Sequence, residues 1–331
     1  MQRHVKIVLP CTNEREWLRA TVDSILEHTR AYPSFEVAVL ANGDTETDFS
    51  FADGEPYRGL VRISKNPAPL GVGRSINAAL SPGDATFYVF LDAHCLLEQD
   101  DWLERGIRCL EEHPTCSMVQ PEVVEFIYHG DLVPGVVAPD PAFIERVGFA
   151  YAVRWAWPYE SPSYTADYQI RKHSELPYEG MGGGGMAVFA FADTFHALGK
   201  YDPEVPGWYP ETLDYCIRGW MRGHPMIVEP RVTVLHRRKT ESPGYDRTYV
   251  DLIHGTLRTA WKYLSPARRD LAESLYRRHG LHAEVDEALR RIRAGRWLEE
   301  RAEQLSRATR TDDWLFEKFG VPERRFGIST G

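Results

Sequence analysis

The segment 87–104, FYVFLDAHCLLEQDDWLE, decides the fold prediction for this chain. Its apolar run, residues 87–91, is typical of a buried β-strand and ends abruptly at Asp92-Ala93-His94. Residues two apart on an extended segment project to the same side, so Asp92 and His94 can hold one ion. A carboxylate and an imidazole suit Mn²⁺ and leave coordination positions open for diphosphate oxygens. The alternative is a surface turn after a buried strand, because Asp-x-His is a short pattern.

Strands and helices alternate around this segment through the first half of the sequence. Short apolar runs predict strands at Val5–Pro10, Phe35–Leu40, Val61–Ser64, Phe87–Leu91 and Ser117–Pro121. Helical patterns between them predict helices at Trp17–His28, Ser75–Leu80 and Asp101–His113. This alternation favours an α/β domain with a mostly parallel central sheet flanked by helices.

Polar residues follow three of the predicted strands. They lie in the segments Pro10–Glu14, Ala41–Asp44 and Asp92–His94. Ligands of such sheets bind beyond the carboxyl ends of the strands, so we expect the three segments to converge on one site.

Composition excludes several classes of protein. The chain has 331 residues, 43% of them hydrophobic, and a net charge of −9, which gives no general electrostatic reason to bind nucleic acid. Its five scattered cysteines predict reduced thiols rather than a disulfide framework or a zinc site. The apolar start is too short for a signal peptide, and no run approaches the roughly 20 apolar residues of a membrane span. We therefore predict a soluble, cytoplasmic protein.

The second half begins with two features that differ from regular α/β patterning. Residues 125–180 are rich in Pro, Tyr and Trp without clear periodicity, which predicts a long irregular insertion that could cover a substrate. Four glycines, 182–185, precede the apolar run Met186–Phe191. Glycines permit close approach of the backbone to a ligand, with Gly184 as a candidate, but a flexible hinge is an equally simple interpretation.

Two acidic residues mark the start of the next predicted helix, Thr212–Arg222. Trp208-Tyr209-Pro210 leads to Glu211, and Asp214 follows within the first turn. Carboxylates at this place can act in catalysis, but they also stabilise a helix by interacting with its dipole. The sequence alone leaves both roles open.

A basic cluster and a helical region complete the chain. The β-rich run Ile227–Leu235, broken at Pro230, leads to His236 and then Arg237-Arg238-Lys239, a cluster that suits a diphosphate. A lone histidine after a strand is usually structural. Residues 247–319 are predicted to be helical, with a start at Ser265-Pro266 and a stop at Gly280.

The order of these motifs resembles that of GT-A glycosyltransferases. Six segments follow one another as in the broad family 2 glycosyltransferases: IVLPCTNEREWLRATVDSIL, LANGDTETDF, FLDAHCLLEQDDWLE, GGGGMAVFAF, WYPETLDYCIRGW and VTVLHRR. The resemblance is greater to the catalytic domain of the polypeptide N-acetylgalactosaminyltransferases, whose metal motif is also Asp-x-His followed by Cys. It spans roughly residues 5–240. It implies a GT-A (Rossmann-like) catalytic domain over residues 1–240 and a C-terminal helical extension over residues 241–331.

The resemblance also implies the ligands and the role of each candidate residue. It implies a UDP-sugar donor, Mn²⁺ or Mg²⁺ as cofactor, and Asp92, His94 and His236 as metal ligands. Glu211 and Asp214 match acidic positions beside the transferred sugar and the acceptor. The nucleotide-sugar would be contacted or supported by Pro10, Thr12, Asn13, Glu14, Asn42, Asp44, Arg74, Asp92, Gly184 and Arg237.

Three departures from the family pattern keep the mechanism open. Ala41-Asn42 stands where the family usually has a pair of acids after the second strand. Tyr209-Pro210 replaces the Gly-Gly before the glutamate of the catalytic loop, and Glu211-Thr212 replaces the Glu-Asp that inverting enzymes commonly carry in that loop. The closer resemblance favours a retaining reaction without a dedicated base. The alternative is an inverting reaction with Glu211 or Asp214 as base. A nucleotide-sugar-binding protein without activity is a third interpretation, which the intact metal motif disfavours. The residues do not identify the donor sugar, the acceptor or the oligomeric state.

Overall fold

The computed structural model describes residues 3–130, 132, 139–155, 157, 166–169, 173–205, 211–239 and 248–322. The strands in these residues are β1 Val5–Cys11, β2 Phe35–Asn42, β3 Val61–Asn66, β4 Phe87–Leu91, β5 Cys95–Leu97, β6 Met118–Tyr128, β7 Ile144–Ala150, β8 Ala152–Trp155, β9 Ala166–Gln169, β10 Tyr178–Gly180, β11 Ala187–Phe191 and β12 Met226–Arg237. The helices are α1 Glu16–His28, α2 Val72–Ala78, α3 Trp102–Glu112, α4 Ala192–Ala197, α5 Glu211–Met221, α6 Tyr249–Tyr263, α7 Pro266–Arg278, α8 His282–Ala294, α9 Trp297–Ser306 and α10 Asp312–Lys318.

The first four strands form an all-parallel half of the central sheet, in the order β3-β2-β1-β4. All five residues of β4 are buried, as expected for a continuous apolar run in a sheet covered on both faces. The strands predicted from apolar runs are confirmed, β4 with the same bounds. Their carboxyl ends meet at one edge, where the polar segments lie.

The other half of the sheet is mixed rather than mostly parallel. Strand β11 runs antiparallel to both β4 and β6, while β12 lies parallel to β6 and antiparallel to β5 and β10. Strand β12 also continues through Pro230, where the prediction placed a break. Its register with β6 shifts between Glu229 and Thr233. A bulge of this kind accommodates proline, which cannot donate a hydrogen bond to the ladder.

The prediction of an irregular insertion over residues 125–180 is wrong for the described residues. Strand β6 extends to Tyr128 and pairs with β7, and β8 pairs with β9. Strand β7 mixes exposed and partly buried residues, so the hydrophobic alternation that signals a strand is weak in its sequence. The intervening residues 131, 133–138, 156, 158–165 and 170–172 lie outside the described part.

The predicted C-terminal helices are confirmed. Helix α7 begins at Pro266 after Ser265, and the chain turns at Gly280 with φ of 79°. Apolar residues of α6, including Leu257, share a buried core with α5 residues such as Leu213 and Trp220. The helices therefore pack directly on α5, and the predicted domain boundary at residue 240 lies among residues outside the described part.

Two findings bear on the predicted location of the protein. No helix among the described residues is long and apolar enough to cross a membrane. All five cysteines are free and buried. The cytoplasmic location itself stays a prediction.

Candidate active site

Three candidate ligands converge at the carboxyl end of β4. Asp92 follows the last residue of β4, and His94 immediately precedes β5. Because β12 runs antiparallel to β5 with His236 opposite Cys95, His236 arrives beside His94. Its Nε2 lies 3.1 Å from Nε2 of His94 and 3.2 Å from Oδ2 of Asp92. The potential ligand atoms of Asp92, His94 and His236 all lie within 4.8 Å of one another.

This cluster fits a divalent cation. Two imidazole nitrogens that face each other and a carboxylate oxygen place three electron-pair donors around one point, and this N₂O set suits Mn²⁺. Burial lowers the pKa of His94 and so favours the neutral ring that a metal requires. Nδ1 of His94 and Nδ1 of His236 are buried without an aligned hydrogen-bond partner in the described part of the chain. His94 and Ala93 are buried, which argues against a simple surface turn.

The side chain of Glu14 is buried against the imidazole ring of His94. Its Oε2 is 3.2 Å from Nδ1 of His94, and its Oε1 accepts a hydrogen bond of 2.6 Å from Nζ of Lys239. Burial alone would raise the pKa of Glu14, but its close contacts with His94 and Lys239 lower it to about 2. Glu14 is therefore ionised and joins a metal-ligand candidate to the basic cluster.

The loops after β1 and β2 converge as predicted, but their side chains hold one another. Thr12 Oγ1 donates to the carbonyl of Asn42 at 3.0 Å, and Oδ1 of Asn42 accepts from the backbone N–H of Leu70 at 2.7 Å. Asp44 accepts from the backbone N–H of Asn13 at 2.7 Å. These contacts shape the loops, and a direct contact of Asn42 or Asp44 with a nucleotide stays a prediction.

The position of Asp44 explains why its carboxylate remains charged. Burial raises its pKa, but hydrogen bonds from the backbone N–H and hydroxyl of Thr47 and from the thiol of Cys11 outweigh that effect and lower it. Pro10, two residues before Thr12, lies in β1 opposite Leu40 of β2. Pro10 is thus part of the sheet beneath the loops.

The predicted basic residues contact other parts of the protein. Arg74 donates to the carbonyl of Pro203. The guanidinium of Arg237 lies over the ring of Trp17, with its central carbon 4.7 Å from the ring centroid. Arg238 pairs with Glu125. The roles of Arg74 and Arg237 in nucleotide binding stay predictions.

The glycine run packs against the beginning of α5. The backbone N–H of Gly184 donates to Oε1 of Gln120 at 3.0 Å. Gly185 has φ of 84°, and a Cβ there would lie 3.0 Å from Oγ1 of Thr212. Asp92 N–H donates to the carbonyl of Met186 at 3.0 Å, so the run lies beside the metal-ligand candidates. These contacts favour a glycine run that packs closely against the start of α5 over one that acts as a flexible hinge.

Glu211 is the first residue of α5 and lies between this glycine run and α2. A Cβ added at Gly185 would lie 3.7 Å from Oε1 of Glu211. A Cβ added at Gly73 would lie 3.4 Å from Cβ of Glu211. Its Oε2 is buried with no hydrogen-bond partner among the described residues. Burial raises the pKa of Glu211 to about 8, and the negative charges of Asp92 and Asp214 add to the effect. The preceding residues 206–210, including the predicted Trp208, Tyr209 and Pro210, lie outside the described part.

Asp214 has a different environment. Its side chain is fully buried, with Oδ1 2.7 Å from Nζ of Lys262 and 3.0 Å from Oγ1 of Thr259. Tyr263 donates to Oδ2 at 3.4 Å. Lys262 also lies 2.5 Å from Asp202. A carboxylate held by α6 in this way has the contacts of a structural residue, so the geometry gives its predicted catalytic role no support.

The sequence prediction missed the structural partners Gln120, Asp202 and Lys262. The first supports the glycine run, and the other two join the segment after α4 to α6. Nothing local marks them, because each is a single polar residue within an otherwise ordinary strand, loop or helix. Their contacts arise only from the tertiary fold.

Residues 6–173 match glycosyl transferase family 2. The chain belongs to glycosyl transferase family 2. Glu211, Asp214 and His236 lie beyond the residues matched, so their placement rests on the structure rather than on this match.

Relatives of this family 2 chain include polypeptide N-acetylgalactosaminyltransferases, which confirms the predicted resemblance. The chain is 29% identical to polypeptide N-acetylgalactosaminyltransferase 11 of Xenopus tropicalis over 73% of its own length and 39% of that protein. It is 26% identical to the inactive polypeptide N-acetylgalactosaminyltransferase-like protein 5 of Macaca fascicularis, over 80% of its own length and 60% of that relative. It thus spans less than two thirds of either relative.

A solved structure confirms the fold. A crystal structure of GalNAc-T7 with UDP, GalNAc and Mn²⁺ superimposes with a TM-score of 0.68 and 17% identity, over 96% of this chain and 56% of that one. The predicted GT-A fold, with helices flanking a central sheet, is therefore confirmed.

Proposed function

We propose that this family 2 chain is a metal-dependent glycosyltransferase that moves a hexosyl or N-acetylhexosaminyl group from a UDP-sugar to an acceptor. The observation that carries the proposal is the convergence of Asp92, His94 and His236 at the carboxyl edge of the sheet. The GalNAc-T7 structure that shares this fold holds UDP, GalNAc and Mn²⁺, which supports the choice of donor and ion.

In the proposed mechanism, Asp92, His94 and His236 would hold a divalent ion, which would supply positive charge to neutralise the charge of a leaving diphosphate. The remaining groups of the chain position the sugar. Glu211 offers the candidate carboxyl group for this role, because it is buried beside Asp92 and its Oε2 has no partner in the described part. The glycine run lets this group approach the sheet edge closely.

We propose retention at the anomeric carbon, with the acceptor attacking from the face that UDP leaves and without a dedicated protein base. One observation favours inversion instead. The raised pKa of Glu211, about 8, suits a carboxylate that takes a proton from an acceptor near neutral pH. The anomeric configuration of the glycosylated product, read by NMR, decides between the two outcomes.

The experiment that tests the proposed function measures release of UDP from a panel of UDP-sugars with Mn²⁺ and candidate peptide, saccharide and small-molecule acceptors. Mass spectrometry then identifies the glycosylated acceptor. We expect transfer by the unaltered chain and loss of transfer by His236→Ala. Binding of UDP-sugars without release of UDP for any acceptor would instead favour an inactive binding protein, as one relative is named.

A second experiment tests the role of Glu211. If Glu211 orients the sugar or serves as base, Glu211→Gln retains UDP affinity and lowers turnover by about 10²-fold, as loss of acid–base help typically does. Unchanged turnover would return Glu211 to a structural role.

A further inference from the structure

A buried chain of charges extends from the candidate metal centre to the basic cluster. Glu14 lies in the turn between β1 and α1, with its side chain 6% exposed. One of its oxygens faces Nδ1 of His94 at 3.2 Å, and the other accepts from Nζ of Lys239 at 2.6 Å. The three groups come from three separate segments of the chain, so the contact is built by the fold and is not a local turn.

The arrangement determines which nitrogen of His94 can bind an ion. A neutral imidazole carries one proton, and the nitrogen without it supplies the electron pair. With Glu14 on the Nδ1 side, the proton belongs on Nδ1, and Nε2 remains free to face Asp92 and Nε2 of His236. A buried N–H without an aligned acceptor costs free energy, so a ring rotation that aligns Nδ1–H with Glu14 is favourable.

Lys239 pairs with the carboxylate oxygen of Glu14 that does not face His94. A buried carboxylate is strongly destabilised unless a cation compensates it. The ammonium group at 2.6 Å supplies that compensation without competing for the ligand nitrogen.

We propose that Glu14 is a positioning residue for the metal ligand His94, and that Lys239 holds the carboxylate of Glu14 in place. The inference rests on the metal site of the proposed function. Carboxylates that hold a ligating histidine typically contribute 10- to 100-fold to metal affinity. Glu14 would therefore act on Mn²⁺ binding itself, before any nucleotide or acceptor is present.

The test is the Mn²⁺ affinity of the nucleotide-free protein, measured by calorimetry and by the electron paramagnetic resonance of free Mn²⁺. We expect Glu14→Ala to weaken Mn²⁺ binding by about 10- to 100-fold. Glu14→Gln, which keeps the side-chain volume, is the second variant if the alanine variant does not fold, and it should weaken binding by about 10-fold. ¹⁵N NMR of the imidazoles should show the Nδ1–H tautomer of His94 in the unaltered protein and its loss in Glu14→Ala.

The matched control is Glu229→Gln. Glu229 is likewise a buried carboxylate paired with one cation, Arg231 at 2.6 Å, and it precedes His236 by seven residues on β12. Loss of its charge should leave Mn²⁺ affinity unchanged even if stability falls. Normal Mn²⁺ binding by a folded Glu14 variant would overturn the role of Glu14 but would not contradict the metal site. Absence of Mn²⁺ binding by the unaltered protein would contradict the metal site and, with it, this inference.

Discussion

The substitution Glu211→Gln should stabilise the metal-free protein at pH 8. Glutamine imitates the protonated carboxyl group in size and polarity but cannot acquire a charge. In the native protein, burial raises the pKa of Glu211 from 4.5 to about 8, with Asp92 and Asp214 adding to the effect. Ionisation therefore opposes folding at this position, and the variant avoids that cost.

The sign and size of this stabilisation follow from the difference between the pKa of Glu211 in the folded chain and its pKa in the unfolded chain. Below pH 4.5, Glu211 is protonated in both the folded and the unfolded chain, so it imposes no penalty. Between pH 4.5 and about 8 the unfolded chain loses the proton first, and stability falls as pH rises. The pKa difference is about 3.5, and each pH unit corresponds to about 1.36 kcal/mol. The free energy of unfolding that ionisation of Glu211 removes is therefore at most about 5 kcal/mol at and above pH 8.

The assay is urea unfolding of both proteins in EDTA from pH 5 to pH 8.5, followed by tryptophan fluorescence. We expect the free energies of unfolding to be similar at pH 5 and the variant to be more stable by several kcal/mol at pH 8. If Glu211 merely caps α5, the variant should instead lose about 1 kcal/mol or less at every pH. A variant that is equally or less stable at pH 8 would show that ionisation of Glu211 does not oppose folding.

Two further predictions follow from the contacts of the site. Lys262→Met should lower the free energy of unfolding by about 3–5 kcal/mol, because it removes the cation that both Asp202 and Asp214 contact inside the protein. The control Lys318→Met breaks a partly exposed pair and should cost about 1 kcal/mol or less in the same unfolding titration; equal losses would contradict the assignment. UDP should bind more tightly than GDP in the presence of Mn²⁺, as a uridine site at the edge formed by the β1 and β2 loops requires. Calorimetry that shows tighter GDP binding would remove that assignment.

Local sequence predicted the parts of the fold that depend on local pattern. Strand β4 and the turn Asp92–His94 are recognisable because a continuous apolar run stops at polar residues. The meeting of His94 with His236 depends on β5 pairing with β12, and the two residues are 142 positions apart. Their pairing was inferred from a family resemblance, since hydrophobic periodicity carries no information on such contacts.

The contrast between Glu211 and Asp214 shows what the sequence could not resolve. Both are acidic residues close to the N-terminus of one predicted helix. All residues of α5 are buried, so helical periodicity did not reveal which polar groups have partners. Only the packing of α6 distinguishes them, because it supplies Lys262 and Thr259 to Asp214 and leaves Glu211 at the sheet edge.

The strands of residues 125–180 were missed for a related physical reason. An edge strand such as β7 exposes much of its surface, and Phe149 on it is 46% exposed. Such a strand keeps its hydrogen bonds with β6 without the strict alternation that a half-buried strand shows.

The most direct test of the proposed metal centre is the metal dependence of UDP release from a UDP-sugar in the presence of an acceptor. We expect that EDTA suppresses release by the unaltered protein, that Mn²⁺ restores it, and that His94→Ala remains inactive at Mn²⁺ concentrations that saturate the unaltered protein. Full activity of His94→Ala after complete chelation would contradict the assignment of Asp92, His94 and His236 as the metal centre.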